Sequence, residues 1–318
     1  MADRTPSARP RVTLDQLHTF VALARFEHAG RAADALALSQ GAVSQQLKLL
    51  ESTLGLPLFD RDRRRLKLTD PGRRLAAAAG AVLNDAVALE ELADALHGLR
   101  TGRVSIVATG VLGIDRLPTW TARFLDRHPS IEISMRLANT AAALRAVEDG
   151  SADCAFVGGD VHGTKFETMN LGQSELVVVV AGNHPLAGSS VTTESLTRYR
   201  YLARESGSAT EILAPNVLGA AYRSGPVLEL GRLEAVKAAV VAGLGYAVLP
   251  RGVIESELAS RALVVLPRKG RRVVQSYRGV RRIGFHSPAS DALWAHIRDE
   301  ASAEEQAASV LAAAKPEV

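Results

Sequence analysis

The chain has 318 residues, of which 47% are hydrophobic, 23% charged and 4% aromatic. This length and composition suit two or three folded domains and exclude a largely disordered chain. The apolar runs are shorter than the roughly 18 residues that a membrane-spanning helix needs. The single cysteine, Cys154, excludes an internal disulfide and a thiolate metal cluster.

The ends and the charge distribution predict where the protein works and what it binds. Residues 1–12 are polar and lack the apolar run of a secretory signal, so we expect a flexible lead-in and a cytoplasmic protein. Residues 1–75 contain 13 Lys and Arg against 8 Asp and Glu, whereas the remainder contains 25 against 26. A basic excess confined to one end indicates a polyanion-binding module joined to a nearly neutral part.

The first three predicted helices form a helix-turn-helix. Thr13 and Gln16 make a capping box at the start of the first helix. The second helix covers residues 30–37, and Ser39 is placed to cap a third that ends at Gly55. Three short helices at this spacing are typical of DNA-binding heads.

The third helix has two contrasting sides. Val43, Leu47, Leu50 and Leu54 recur at helical spacing and predict the buried stripe. The opposite side carries uncharged polar groups, which can both donate and accept hydrogen bonds at base edges in the major groove. An ordinary solvated helix face is the alternative. The candidate DNA-binding residues on this helix are Ser39, Gln40, Gly41, Ser44, Gln45 and Lys48.

A basic wing follows the third helix. Residues from Leu58 to Leu68 alternate around a basic centre and predict a short two-stranded hairpin. Its cations would contact phosphates or enter a minor groove, so DNA affinity should fall steeply with salt. The candidate wing residues are Arg61, Arg63, Arg64 and Arg65.

One long helix is predicted from Pro71 to about Leu99, because this Ala- and Leu-rich stretch contains few helix breakers. Apolar residues at heptad-like intervals form a seam that needs a partner helix, and a second copy of the chain is the natural partner. Packing of the seam on the chain's own sheet is the alternative. The seam residues are Leu75, Val82, Leu89, Leu92 and Leu96.

Beyond residue 101, short buried strands alternate with helical stretches. This order predicts an α/β fold with a mostly parallel sheet and helices on both faces, arranged as two lobes joined by crossing strands. The predicted strands cover residues 104–108, 131–137, 153–159, 175–182, 246–250 and 262–267.

The stretch SQGAVSQQLKLLESTLGLPLFDR followed by LTDPG resembles the LysR-type transcriptional regulators. ANTAAALRAVEDGSADCAF, GNHPL, LARESGSAT and LEAVKAAVVAGLGYAVLP are also similar to that family, in the same order, so the resemblance covers nearly the whole chain. It implies a winged helix-turn-helix, a long linker helix and a two-lobed, periplasmic-binding-protein-like α/β effector domain. The implied boundaries are a lead-in at 1–12, the DNA-binding domain at 13–70, the linker and dimerisation helix at 71–100, the effector domain at 101–305 (lobe I 102–172 and 268–305, lobe II 173–267) and a tail at 306–318.

The resemblance also assigns roles in the head. It implies that Gln40, Gly41, Ser44 and Gln45 face DNA and that Arg61, with the arginines after it, anchors the wing. The chain departs from the family where Gly41 replaces a common proline, Gln45 a common arginine and residues 28–30 a usual Ser-Phe-Thr. Since arginine is a strong guanine reader, the preferred operator bases do not carry over.

The resemblance implies a small-molecule effector in a cleft between the lobes. Hydroxyls and free N–H groups at helix starts favour a small anion. Val111 stands where the family often has a hydroxyl, and Glu211 where it often has an arginine. These changes favour an amino acid or another zwitterion as the effector over a simple anion, and a small carboxylate remains a second candidate. The alternative for each residue is a helix cap or turn. The implied lining is Thr109, Gly110, Val111, Asn139, Thr140, Ser206 and Ser208.

These features predict a regulator that binds promoter DNA as a homodimer or homotetramer and contacts RNA polymerase. We expect no catalytic residue, cofactor or metal. Residues 243–245 form half a dinucleotide fingerprint, Asp160 and His162 are two isolated ligands, and Ser206 and Ser208 lack the hydrolase motif. A solute-binding protein or an enzyme built on the α/β half remains the alternative, although neither a signal segment nor a paired nucleophile and base supports it.

Overall fold

The computed structural model describes residues 10–62, 65–96, 101–161, 164–188, 191–267 and 272–313. These residues divide into two compact units. The first contains the described residues up to Leu96 together with Glu148–Ser151 and Phe285–Ser287, and the second contains the others. Within these described ranges, no helix is both long and apolar enough to cross a bilayer.

Three helices build the head as predicted: α1 (Leu14–Phe26), α2 (Ala29–Leu36) and α3 (Gln40–Leu54). The capping box at Thr13 is formed, and the Ser39 side chain accepts a hydrogen bond from the Ala42 backbone N–H. The buried face of α3 packs against the other two helices. The fully buried head residues include Phe20, Leu23, Val43, Leu50 and Leu58.

The second helix begins with an unusual cap. His28 Nδ1 accepts hydrogen bonds from the backbone N–H groups of Gly30, at 3.1 Å, and Arg31, at 3.3 Å. An imidazole therefore takes the place of the serine that the family prefers at this helix start. Because Nδ1 accepts both bonds, the neutral ring carries its proton on Nε2.

The predicted wing is formed in its described part. Strands β1 (Phe59–Asp62) and β2 (Arg65–Leu68) pair antiparallel, with Phe59 opposite Leu68. The hairpin is tied to α3 because Glu51 Oε1 accepts a hydrogen bond from Leu58 N at 2.8 Å. Arg63 and Arg64 lie outside the described residues.

The long helix α4 spans Asp70–Leu96. Thr69 caps it by accepting from Gly72 N at 2.9 Å, and Gly72 is required because a Cβ there would collide with the carbonyl oxygen of Leu58. Leu75 packs on the head's own core, which corrects its assignment to the intermolecular seam. In contrast, Val82 and Leu89 are 47% and 63% exposed in the single chain. Leu92 is half-buried, and the side chain of Leu96 lies outside the description.

The second unit alternates strands and helices. Its strands are β3 (Gly102–Ala108), β4 (Ile131–Leu137), β5 (Cys154–Gly158), β6 (Phe166–Ala181), β7 (Tyr201–Arg204), β8 (Val227–Gly231), β9 (Ala247–Pro250), β10 (Leu263–Val265) and β11 (Val274–Arg282). Its helices are α5 (Gly110–Asp115), α6 (Leu117–Arg127), α7 (Thr140–Glu148), α8 (Thr193–Thr197), α9 (Ala209–Leu218), α10 (Leu233–Val241), α11 (Glu255–Ala259) and α12 (Pro288–Ala313).

The main sheet is mixed, which corrects the prediction of a mostly parallel sheet. Among the described residues its strand order is β10-β6-β11-β5-β3-β4, with β9 also paired to β6. Among the described strands, β3 pairs in parallel with β4 and β5, and separately β7 pairs in parallel with β8; a further isolated parallel bridge joins Tyr201 and Tyr246. The long strands β6 and β11 are antiparallel to all of their partners among these strands.

The 16-residue strand β6 crosses between the two halves of the unit. Its first half pairs with β11, and its second half pairs with β9 and β10. The six predicted strands are all present, whereas β7, β8, β11 and the first half of β6 were not predicted. Helix α12 continues to Ala313, so the described part of the expected tail is helical.

The core of the second unit positions the helix starts that matter for ligands. Buried residues of β3 and β5 pack against α5, α6 and α12, with Trp120, Phe124 and Phe156 at the centre. The strands β3, β4 and β7 are each followed by a helix, so α5, α7 and α9 begin near the carboxyl ends of these strands. Open α/β sheets bind their ligands beside the carboxyl ends of strands.

Candidate DNA-binding face and ligand cleft

The exposed side of α3 is polar from Gln40 to Lys48, and the exposed Leu49 follows it. Its apolar residues Val43 and Leu47 are buried, so this side is free for another surface. The residues at its start and on this side are all exposed. They are Ser39, Gln40, Gly41, Ser44, Gln45 and Lys48.

Gly30 allows α2 and α3 to approach closely. A Cβ at Gly30 would lie 2.9 Å from Gln40 Nε2 and 3.1 Å from the His28 ring. The residues that depart from the family pattern at 28–30 are therefore compatible with one another: Gly30 leaves room for both the capping His28 ring and the Gln40 side chain.

In the described part of the wing, the hairpin pairing fixes the backbone positions of Arg61 and Arg65. Arg61 lies opposite Leu66 and Asp62 opposite Arg65 in the hairpin. The side chains of Arg61 and Arg65 lie outside the description, as do Arg63 and Arg64. Lys67 is exposed on β2.

Most of the predicted effector residues line one cleft in the second unit. Ser206 does not: it is exposed in a turn closed by the hydrogen bond from Ser208 N to the Glu205 carbonyl, at 3.1 Å. The lining residues are Thr109, Gly110, Val111, Ala138, Asn139, Thr140, Arg204, Glu205, Ser208, Ala209, Thr210 and Gln275.

Three helices begin at this cleft, and their caps differ. Asn139 Oδ1 accepts from Ala142 N at 2.9 Å, and Ser208 Oγ accepts from Glu211 N at 3.3 Å. Thr109 Oγ1 is buried and has no hydrogen-bond partner among the described residues. The start of α5 therefore has no side-chain cap in the described structure.

Sequence reasoning missed the cation of the cleft, Arg204. This residue is 7% exposed, and its Nε donates to the Gly231 carbonyl at 2.9 Å. Its Nε and Nη2 also hold the two carboxylate oxygens of Glu205, at 3.0 and 2.7 Å. An arginine that ends the apolar run YLA was the available signal.

Strand β11 contributes a second residue that the sequence analysis missed, Gln275. Its Oε1 accepts from Thr210 Oγ1 at 2.9 Å, and the side chain is 1% exposed. Thr140 Oγ1 donates to the Gly158 carbonyl at 3.1 Å. Within the lining, Arg204 is thus bonded to Glu205 and Thr210 to Gln275, whereas Asn139, Thr140 and Ser208 bond to backbone groups.

Glu211 faces away from the cleft, which differs from the expectation that it weakens anion binding there. Its buried carboxylate accepts from the hydroxyls of Tyr201 and Tyr222, each at 2.9 Å, and from Arg223 Nη2 at 3.0 Å. The Arg204 backbone N–H also donates to it, at 3.2 Å. Burial, followed by the nearby Glu211 charge, raises the pKa of Tyr201.

Other reactive groups take structural roles. Cys154 is buried, and this burial raises the pKa of its thiol, which disfavours the reactive thiolate. Asp160 accepts from Ser276 Oγ at 2.8 Å and lies 3.7 Å from Arg278; His162 falls outside the described residues. No group of three metal-ligating side chains occurs in the described part of the chain.

A winged helix-turn-helix with an exposed polar row, followed by a long helix and an α/β unit with a polar cleft, defines a ligand-responsive class of DNA-binding protein. Residues 14–73 match the family model for the bacterial regulatory helix-turn-helix protein of the lysR family, and residues 97–302 match the LysR substrate binding domain. The chain therefore belongs to the LysR family of DNA-binding transcriptional regulators.

Individual proteins agree with this assignment. The chain is 37% identical over 262 residues to the transcriptional regulator YeiE of Escherichia coli K12, covering 81% of this chain and 88% of that protein. It is 32% identical over 299 residues to the RuBisCO operon transcriptional regulator of Allochromatium vinosum, covering 92% and 97%. Its structure is similar to full-length OxyR from Pseudomonas aeruginosa, with a TM-score of 0.73, 25% identity and coverage of 91% and 96%.

Proposed function

We propose that this LysR-family regulator reads operator DNA with the exposed row of α3 and answers a small molecule held in the cleft. The observation that carries the proposal is the polar row itself. A helix that buries Val43, Leu47 and Leu50 leaves an uncharged polar side facing outward, which suits base edges better than protein packing.

The contacts divide between bases and phosphates. Ser39, Gln40, Gly41, Ser44 and Gln45 enter the major groove at the amino-terminal end of α3, where base edges are read. Lys48 binds a phosphate beside them. The wing cations Arg61, Arg63, Arg64 and Arg65 hold the backbone or an adjacent minor groove.

The chain organisation we propose follows these roles. Residues 13–70 bind DNA, 71–100 form the linker helix, and 101–305 form the effector domain, with lobes at 102–172 with 268–305 and at 173–267. The linker helix pairs with that of a second copy, since Val82 and Leu89 expose apolar surface along it. The assembly we propose is this homodimer or, through contacts between effector domains, a homotetramer.

The effector is a small anion or zwitterion, such as an amino acid or a small carboxylate. Thr109, Asn139 and Ser208 place three helix starts around it, and Arg204 adds a positive charge. Ligand binding shifts the regulator between two arrangements of its DNA-binding heads, which changes promoter bending and the contact with RNA polymerase. The shift requires a ligand that binds one arrangement more tightly.

The cleft lining and the DNA target also indicate how and where the protein acts. The regulator works by binding and carries out no reaction, because the cleft contains no nucleophile paired with a base among its lining residues. Its target is promoter DNA, so we propose that it acts in the bacterial cytoplasm.

A gel-shift titration with DNA from upstream of the protein's own gene tests the proposal. The triple variant Arg63→Ala, Arg64→Ala, Arg65→Ala should bind much more weakly, and the slope of log affinity against log salt should fall by about 0.9 per lost phosphate contact. Arg145→Ala, Arg198→Ala, Arg200→Ala removes the same charge from exposed positions of the α/β unit and should change little. Equal binding by both triple variants would contradict the proposal.

A further inference from the structure

We infer that Arg204 is the anion-binding residue of the cleft and that the Glu205 carboxylate occupies it until a ligand carboxylate takes its place. This inference rests on the cleft of the proposed function and narrows its ligand to a small carboxylic acid. Glu205 is therefore an internal competitor, and the ligand must exchange with it.

Arg204 is a fixed receptor for a planar anion. Only 8% of its side chain is exposed, and the bond from Nε to the Gly231 carbonyl sets the orientation of the guanidinium. A guanidinium fork matches the two oxygens of a carboxylate and is always charged. Because this cation lines the cleft beside the uncapped start of α5, it faces the space where a ligand sits.

Glu205 is the movable partner of this pair. Both of its oxygens bind Arg204, and within the described ranges its carboxylate makes no other hydrogen bond or ion pair. Its side chain is 32% exposed, so the carboxylate can rotate into water without leaving a buried charge. Arg204, by contrast, keeps its bond to Gly231 and requires a new anion when Glu205 leaves.

The present occupant indicates the chemistry of the incoming one. Since the fork already holds a carboxylate by two hydrogen bonds, another carboxylate replaces it with the least change in geometry. The Thr109 hydroxyl, which has no hydrogen-bond partner among the described residues, belongs to the lining of the same cleft. A ligand amino group next to the carboxylate would meet the released Glu205, so α-amino acids satisfy both charges and simple carboxylates satisfy one.

Isothermal titration of the full-length protein with three matched probes tests the exchange. Propionate carries only the carboxylate, L-alanine adds the amino group, and propionamide is the neutral analogue. Glu205→Gln should bind propionate at least about tenfold more tightly than the wild type, which corresponds to about 1.4 kcal/mol. The gain for L-alanine should be smaller because the variant loses the acceptor for its amino group, and propionamide should not respond.

Glu234→Gln is the matched control. Glu234 Oε1 lies near Gly110, 4.0 Å from where a Cβ would stand, so the variant removes a negative charge near the cleft without touching the Arg204 pair. Propionate affinity should change less than threefold in this variant. An equal gain in both variants would mean a general charge effect and would overturn the inference, as would a Glu205→Gln protein that binds propionate no better than the wild type or not at all.

Arg204→Gln completes the set. It should lose propionate binding while keeping its melting temperature; if it does not fold, the comparison of Glu205→Gln with Glu234→Gln decides alone. Gel shifts with the same probes separate this inference from the proposed function. Glu205-dependent binding that leaves DNA affinity unchanged would refute effector control only, whereas DNA binding that responds to a ligand regardless of Glu205 would refute only the exchange.

Discussion

The DNA-binding face and the ligand cleft are built in opposite ways. The candidate residues on α3 lie between Ser39 and Lys48 on one helix and stay exposed, with their hydrogen-bonding groups open to another molecule. The cleft gathers residues from 109–111, 138–140, 204–205, 208–210 and 275, and most of its polar side chains already hold hydrogen bonds within the α/β unit. One surface is preformed by local structure, whereas the other depends on contacts that a ligand must replace.

This difference predicts how each site tolerates change. A preformed face depends on the packing beneath it, so the mutations that damage it most are in the buried side of the head. An internally bonded cleft instead depends on pairs, so removing one member changes what the other can bind. Comparing a substitution with a matched control at a neighbouring position distinguishes dependence on packing from dependence on bonded pairs.

The largest effect is expected from the core below the DNA-binding face. Leu50→Ala removes a fully buried side chain and should lower the free energy of unfolding by about 2–5 kcal/mol. DNA binding should weaken with it, while propionate binding by the cleft should stay unchanged. Urea titration, gel shift and calorimetry measure the three quantities.

Leu49→Ala is the adjacent control, because Leu49 is 49% exposed. It should change the unfolding free energy by less than about 0.5 kcal/mol. If the two variants behave alike, the assignment of the buried side of α3 is wrong.

Smaller effects on the free energy of unfolding are expected at two glycines of the head, and the two effects have opposite signs. Gly72→Ala forces a Cβ against the Leu58 carbonyl oxygen and should cost about 1–3 kcal/mol, since neither backbone can yield easily. Gly41→Ala meets only Ser39 Oγ at 3.8 Å and should stabilise α3 by up to about 1 kcal/mol. Thermal unfolding measures both, and destabilisation of equal size in the two variants would contradict the close approach at Gly72.

The α/β unit should show a pH dependence that the head does not explain. Because burial and Glu211 raise the pKa of Tyr201, the folded state keeps the phenol protonated above the ordinary tyrosine pKa of 10.0 while the unfolded state ionises. The stability is fully present below pH 10 and is lost as pH rises beyond it, by about 1 kcal/mol over the next pH unit.

Urea unfolding at pH 8 and pH 11 measures this loss. Tyr201→Phe removes the ionising group and should reduce the loss between the two values. A variant that loses as much stability as the wild type would show that Tyr201 does not contribute.

The two regions also differ in how far the sequence predicted them. In the head, Thr13, Ser39 and Gly55 act on residues within one turn, so caps and periodicity were enough to locate α1 and α3. The wing followed from its alternation. Leu75 was misassigned because its spacing fits a seam equally well as the head's own core.

In the α/β unit, the unpredicted features depend on distant partners. Strand β11 contains Arg278, which donates to Asn170 and lies 3.7 Å from Asp160. It also contains Arg281, which pairs with Glu167 and Asp291 of other elements, so its pattern does not indicate a buried strand. Arg204 and Gln275 likewise belong to the cleft through tertiary contacts. Such pairings are invisible in a single sequence, whereas Thr109, Asn139 and Ser208 were assigned to the cleft by the resemblance to the family.

The most direct test of the account is footprinting of the upstream DNA with Gln45→Ala and Ser52→Ala proteins. Both positions are exposed on α3, but only Gln45 lies in the proposed reading row. The account predicts that Ser52→Ala protects the same nucleotides as the wild type, whereas Gln45→Ala loses discrimination at one base pair of each half-site, about 1–3 kcal/mol. Identical protection and base preference by the two variants would contradict it.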